Sequence, residues 1–507
     1  MNYMKRILKS CILACILFLS SSLSFAEYTI NYEVDFDIPD KYIDVTLKYA
    51  SDNQNETILL KMPVWAPGYY LIVDFPKYLT DFNATDIDGK PLNWEKVGKN
   101  GWRINTNSYT SFIKYRIYAN ERSVAECRVE ENLAFIAPNG VFMYLENDIN
   151  HETSVHFNLP QGWKHVSTGL KPVAGKQDTF YSPDFDRLYD SPFLIGNHFV
   201  DTFDIDGRKY EFAIEKPQGY ENSPFKQDFI KMVRTTTDIM KGVPYDNYCL
   251  IHLGEGQGGL EHLNSQACYT EGTFEFESRK YYLAYLSFTT HEYFHLYNVK
   301  AIRPLELGPF DYDRECFTNM LWFSEGITVY YETRIMLKAG ICDADYLLDD
   351  LSGFIRFIES KQGHRHMSLR QSSYDIWLNF FNKAQNGDDV RISYYDKGPI
   401  IGLLMDIDIR RKTNGQRSLD DLMRLLYDKY YCQLKRGFTE QEFWKEAELI
   451  AGQPLELIRY YVDTTADINY NEILNDAGLA LNITNYQLYR LQNPSTSAIE
   501  IRKSMGL

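Results

Sequence analysis

The sequence predicts a multidomain α+β protein, ordered as a β domain, a mixed domain and a helical domain. Three observations carry this. Apolar and polar residues alternate without a break over 28–38, helical spacing begins after Pro224, and most of 343–480 keeps that spacing. A length of 507 residues accommodates two to four domains. Aromatic residues make up 15%, led by 39 Tyr, which favours β-rich packing over disorder.

The alternation of Tyr28, Ile30, Tyr32, Val34, Phe36 and Ile38 marks a half-buried strand. Ile43-Val45-Leu47-Tyr49, Ile113-Tyr115-Ile117 and Val155-Phe157-Leu159 repeat the pattern. Turn clusters at Asp88-Gly89-Lys90-Pro91 and Ala137-Pro138-Asn139-Gly140 separate the runs. Residues 27–200 therefore read as an N-terminal antiparallel β-sandwich-like domain.

Helical spacing follows at 226–241, then a short strand at 248–251 and a Gly-rich turn at 254–259. Residues 279–297 lack Gly and Pro and read as a buried helix. A second helix spans 318–338 and stops at Ala339-Gly340. These elements make up a mixed domain over 201–340, with a helical domain over 341–480 and a tail over 481–507.

Lys5, Arg6 and Lys9 precede an apolar run and then Ser24-Phe25-Ala26, the order of a secretory signal peptide over 1–26 cleaved after Ala26. The mature protein is expected to be soluble and exported, secreted or periplasmic, with no stable membrane span. Net charge is −16. The first 26 residues carry three basic and no acidic groups, so cleavage leaves −19, a surface that repels nucleic acid. Six cysteines remain, none in a C-x-x-C pair, which argues against zinc knuckles and thioredoxin-like chemistry.

Residues 291–295 read H-E-Y-F-H. On a helix, His291 and His295 share a face and can grip one ion, and neutral imidazole suits zinc. Glu292 stands beside that face, where a carboxylate can take a proton from water. The longer zincin signature needs Gly at 298 and His at 301, where this chain has Asn298 and Ala301. A carboxylate further along must then be the third ligand, from Glu306, Asp311, Asp313, Glu315, Glu325 and Glu332. Glu325 stands out, because it interrupts the apolar run Leu321-Trp322-Phe323-Ser324-Glu325-Gly326-Ile327, where an unpaired charge is costly. Glu332 is the alternative ligand, or a residue supporting the ligands. His364 and His366 read as a solvated loop. His262 reads as either a cleft residue or a structural one.

The string from His291 to Pro304 resembles the signature of the glycyl aminopeptidase family of zinc metallopeptidases, Glu-ligated zincins related to the aminopeptidase N family. So do L-W-F-S-E-G-I-T at 321–328, M-P-V-W-A-P-G-Y-Y at 62–70 and D-S-P-F-L-I-G-N at 190–197. The resemblance implies a thermolysin-like catalytic domain holding one Zn2+ per chain on His291, His295 and Glu325, with Glu292 as general base. Gly258-Gly259-Leu260-Glu261-His262 is similar to the G-x-M-E-N element of the aminopeptidase N family, which implies that Glu261 holds the free amino group of a peptide substrate. The glycines let a strand approach an extended peptide closely. Tyr394-Tyr395-Asp396-Lys397-Gly398 resembles the Y-E-K-G segment of the same relatives, which implies an oxyanion donor at Tyr395, with Tyr394 as the alternate. Preference for N-terminal Gly, then Ala, is implied in the same way.

Two departures matter. Tyr297 stands where relatives carry Trp, and the 29 residues from Leu479 are too few for the PDZ domain with which many members end. The expected activity is a zinc aminopeptidase. A zinc endopeptidase or a non-catalytic peptide-binding protein on the same fold are the alternatives.

Overall fold

The computed structural model describes residues 28–507 apart from Gln257 and Glu271, so the predicted signal peptide lies outside the described residues. The alternating segments form a seven-stranded sheet. Its strands are β1 (Tyr28–Asp37), β2 (Tyr42–Ser51), β3 (Leu79–Asp86), β4 (Thr110–Tyr118), β5 (Thr153–Phe157), β6 (Lys171–Pro172) and β7 (Thr179–Ser182), in the order β6-β7-β5-β1-β2-β4-β3. The pairings are antiparallel except β1 with β5, which is parallel. Ile30, Tyr32 and Val34 are buried while their neighbours face outward, as the period of two requires. Two four-stranded sheets complete the β-rich region, one built on Thr57–Lys61 and Gly101–Asn105, the other on Leu133–Ile136 and Phe193–Gly196.

A five-stranded sheet follows: β8 (Phe199–Ile205), β9 (Arg208–Ile214), β10 (Asn247–Glu255), β11 (Gly259–Glu261) and β12 (Ser265–Thr270). Its order is β8-β9-β10-β12-β11, so β11 is an edge strand, paired only with β12. Helix α1 (Phe225–Met240) and helix α2 (Arg279–Phe294) belong to the same apolar cluster as the inner strands. That cluster continues through α3 (Ile327–Lys338), α4 (Ala344–Ser360), α5 (Tyr394–Lys412) and α6 (Leu419–Leu426) to Met505. Among the described residues, no helix is long and apolar enough to cross a membrane, and the six cysteines are free thiols.

Both predicted site helices differ at their functional ends. Regular α geometry in α2 stops at Phe294, and the chain tightens into i−3 bonds, Leu296 N to Tyr293 O and Tyr297 N to Phe294 O. The second helix is regular only from Ile327. Trp322–Gly326 ahead of it is a π turn, a widened form that frees carbonyls for other donors. His364 is also not in a solvated loop. It is buried, 3.9 Å from Glu359.

Residues 481–507 are ordered into structure as well. Strand Gln487–Arg490 lies on α4, with Leu488 N donating to Ser352 Oγ, and helix Thr496–Met505 places Ser504 Oγ 2.8 Å from Arg410.

A buried ion-pair network joins α3, α5 and α6. Arg334 donates through both terminal nitrogens to Asp420, which also accepts from Tyr331 Oη at 2.8 Å. Asp406 accepts from Tyr330, Arg410 and Leu419 N. Breaking such a pair from one side leaves a buried charge and costs about 3–5 kcal/mol. Arg334→Met is therefore expected to lower the urea midpoint of unfolding, followed by circular dichroism, by the equivalent of that loss. An unmoved midpoint would show that the network does not hold the helices.

Candidate active site

Helix α2 carries His291, Glu292 and His295, all buried. Hydrogen bonds fix both imidazoles. His291 Nδ1 donates to Glu332 Oε2 at 2.8 Å, and His295 Nδ1 donates to the carbonyl of Asn298 at 2.7 Å. A carbonyl only accepts, and the carboxylate accepts too, so each Nε2 is left with its lone pair. The two Nε2 atoms face each other at 2.9 Å. Glu325 Oε2 lies 3.1 Å from that of His295 and 3.7 Å from that of His291. Three lone-pair donors converging on one point repel each other unless a cation sits among them. Two imidazoles and one carboxylate with an open side are the donor set of a catalytic zinc site, and these residues fit it.

Asn298 holds this arrangement together. Its backbone oxygen orients His295, while its side-chain Nδ2 donates to Phe323 O (2.8 Å), Ser324 O (3.2 Å) and Thr328 Oγ1 (3.1 Å). Those carbonyls belong to the π turn that carries Glu325. One residue thus ties one metal-facing histidine to the metal-facing carboxylate. Tyr70, from the loop after strand Thr57–Lys61, donates to Glu325 Oε1 at 3.3 Å.

The electrostatics favour positive charge at this point. Burial alone would lower the pKa of His291, but the carboxylates of Glu325 and Glu332 beside it outweigh that and raise it well above its ordinary value. Burial would likewise raise Glu325, yet His295 and His291 hold its carboxyl well below the usual range. Glu292 sits differently. Burial pushes it up to about 7, against the pull of His291 and His295 and with a push from Glu261 and Glu325. A carboxylate poised near neutrality is suited to taking and returning a proton.

Edge strand β11 runs past Glu292 and ends at Glu261. A side chain at Gly259 would put Cβ 2.3 Å from Glu292 Oε1, so only glycine leaves room for that carboxylate. Gly258 precedes it with φ +96°, open to glycine and strained for other residues. Glu261 is buried, and a Cβ at Gly68 would lie 2.8 Å from its Oε1, so the loop from the N-terminal domain closes directly over it. Glu261, Glu292 and His295 also converge, each pair of ligand atoms within 4.8 Å. They form the weaker metal set, because the Nε2 of His295 already faces His291 and Glu325.

Asp190, from the β-rich region, holds three parts of the site. It accepts from Lys300 Nζ at 2.9 Å, from His262 Nδ1 at 3.1 Å and from Leu263 N at 2.8 Å. Burial opposes its charge, but Lys300, His262 and Arg187 hold its carboxyl well below the usual range. His262 is thus a hydrogen-bonded neighbour that fixes the end of β11. Tyr395, at the start of α5, has its ring 6.2 Å from that of His291, and Tyr394 beside it is more deeply buried.

Sequence reasoning gave no role to Asn298, Tyr70 or Asp190, although all three lie in the quoted motifs. A cavity of about 230 Å3 lies behind Lys300 and Arg303, but neither Glu292 nor the metal-facing residues line it. A smaller one, about 40 Å3, adjoins Glu261 between Trp65, Gly68, Tyr70, Leu307 and Phe310.

Residues 31–197 match the model of the Peptidase M61 N-terminal domain and residues 284–401 that of the M61 glycyl aminopeptidase, together more than half of the chain. No curated protein matches the chain. Among solved structures, an aminopeptidase N family protein from Idiomarina loihiensis is similar at 25% identity and a TM-score of 0.83, covering 90% of this chain and 79% of its own. An M1 zinc metallopeptidase from Deinococcus radiodurans is similar in fold at 12% identity and a TM-score of 0.51, covering 87% and 96%. A mutant of the latter bound to Tyr-Ser-Ala gives 12% and 0.53, covering 87% and 94%.

If Glu332 holds His291 as described, Glu332→Ala is expected to weaken zinc binding about 10- to 100-fold, measured by competition with a chromogenic chelator. Unchanged affinity would mean that the His291 ring is fixed by packing alone.

Proposed function

We propose that this chain, which belongs to the M61 glycyl aminopeptidase family of zinc metallopeptidases, removes single small residues, Gly and then Ala, from peptides with a free N-terminus. The observation that carries the reading is Glu261. It is a buried carboxylate at the end of an edge strand, within 4.8 Å of the Glu292 carboxylate and of a ring nitrogen of His295. A substrate ammonium placed there completes a charge-assisted pair beside the scissile bond, which an N-blocked peptide cannot make.

His291, His295 and Glu325 would hold one zinc ion. Bound there, zinc supplies a Lewis acid for the scissile carbonyl and makes water a nucleophile near neutral pH. Glu292 takes the proton of the attacking water and returns it to the departing amine, a double duty that its raised pKa suits. Tyr395 Oη donates to the oxyanion that develops on the carbonyl, and its half-open position beside His291 supports it over buried Tyr394. Glu332 and Asn298 keep the imidazoles oriented throughout. The space next to Glu261, about 40 Å3 and walled by Trp65, Tyr70 and Phe310, is small, which favours a small first residue such as Gly or Ala.

The test uses release of a chromogenic amine from glycyl, leucyl and N-acetylglycyl substrates, with and without a chelator. Chelator-sensitive cleavage of the free glycyl substrate alone is expected. Cleavage of the acetylated substrate would favour the endopeptidase reading, and no cleavage by zinc-loaded protein would remove the glycyl assignment. Glu261→Ala should abolish the advantage of the free amine. Tyr395→Phe should lower kcat about 100- to 1000-fold with little change in KM. Loss of activity in Tyr394→Phe instead would move the donor role to its neighbour.

A further inference from the structure

Edge strand β11 sets the direction in which a peptide crosses the cleft. With its amine at Glu261 and its scissile bond beside Glu292 and Gly259, an extended peptide runs antiparallel to β11. The residue after the scissile bond then lies towards Gly258. The neighbour there is Val124, whose Cγ2 is 3.9 Å from where a Gly258 Cβ would stand, and Tyr69 interacts with the adjacent Ser123.

Tyr69 begins a strip of rings. It lies 4.8 Å from Phe381, which meets Phe380 edge-on at 4.8 Å. Phe380 is 6.0 Å from Tyr395, and Tyr395 is 6.2 Å from His291. The strip thus runs without a gap from the metal-facing histidine to Tyr69, beside the Ser123-Val124 segment that neighbours Gly258. Its outer members are not core residues. Phe380 is 48% exposed, Phe381 43%, and Leu378 just before them 60%. One exposed aromatic needs no explanation, but three large apolar residues within four positions, continuous with the reaction centre, do.

We propose that Tyr69, Phe380 and Phe381 form the subsite for the residue that follows the scissile bond, and that this subsite takes a large apolar or aromatic side chain. The inference rests on the aminopeptidase reading, which fixes the peptide's direction. It gives the substrate class a second half: a small residue first, a bulky apolar residue second. The physical basis is burial of the exposed ring faces against the incoming side chain, with edge-on and offset ring contacts available to Phe, Tyr or Trp.

The experiment measures kcat/KM for Gly-Phe-Ser, Gly-Leu-Ser and Gly-Ala-Ser with the zinc-loaded full chain. The phenylalanyl peptide is expected to exceed the alanyl one about tenfold or more. Phe381→Ala should bring that ratio close to one, and Phe381→Leu should restore part of it. The ratio separates recognition from damage to the fold, which would lower both peptides together. A wild-type ratio near one, or a ratio unmoved in Phe381→Ala, would overturn the subsite while leaving the aminopeptidase reading intact. No cleavage of any peptide would overturn that reading, and the subsite with it.

Discussion

The arrangement of this site depends on the contact between Gly326 and Gly398. A Cβ on Gly326 would stand 2.5 Å from the Gly398 Cα, and one on Gly398 equally close to the Gly326 Cα. Two backbones meet there with no side chain between them. Gly326 follows Glu325 at the end of the π turn, and Gly398 lies one helical turn beyond Tyr394 and Tyr395. The crossing therefore brings the tyrosine pair up to the metal-facing carboxylate. Ordinary side chains at either position would separate the helices and draw Tyr395 away from His291. Packed backbones have few alternative arrangements, so the geometry is rigid.

Around that crossing, polar groups connect elements far apart in sequence. Asn298 bridges the end of α2 to the π turn, Glu332 reaches from α3 to His291, and Asp190 reaches from the β-rich region to Lys300 and the end of β11. Tyr70 and Gly68 come from a loop that starts in the N-terminal sheets. The β-rich region is thus part of the site itself. Its loop covers Glu261, and its Asp190 anchors the strand that carries Glu261. The quoted motifs at 62–70 and 190–197 have a direct physical meaning, since each supplies a contact that shapes the reaction centre.

Much of this was legible in the sequence. Alternation marked the strands because one face of each is buried, and the spacing of His291 and His295 placed them on one helical face. The anomaly of Glu325 in an apolar run was visible because burying a carboxylate demands a partner. The π turn was not legible, since periodicity averages over a window longer than one widened turn. The end of α2 at Phe294 depends on where the carbonyl and amide of Asn298 find partners, a tertiary matter. Asn298 was noticed only for failing to be glycine. Its role needs the chain 25 residues later to fold back against it, and no local pattern carries that distance. His364 was misjudged for a similar reason: polar neighbours such as Arg365 and His366 face solvent while it turns inward towards Glu359.

Four carboxylates, those of Glu261, Glu292, Glu325 and Glu332, gather around two imidazoles in a buried space. Such a concentration of negative charge is unfavourable in a low dielectric unless protons or a cation compensate it. Without metal, the fold satisfies it by raising the pKa of Glu292 and the proton affinity of His291. A divalent cation held by His291, His295 and Glu325 would offset the same negative charge. On the proposed reading, the ammonium of a peptide's free N-terminus would compensate the buried carboxylate of Glu261 in the same way. On that reading one electrostatic arrangement serves both the ion and the free N-terminus, which accounts for acidic residues crowding the centre of a chain that is already strongly negative.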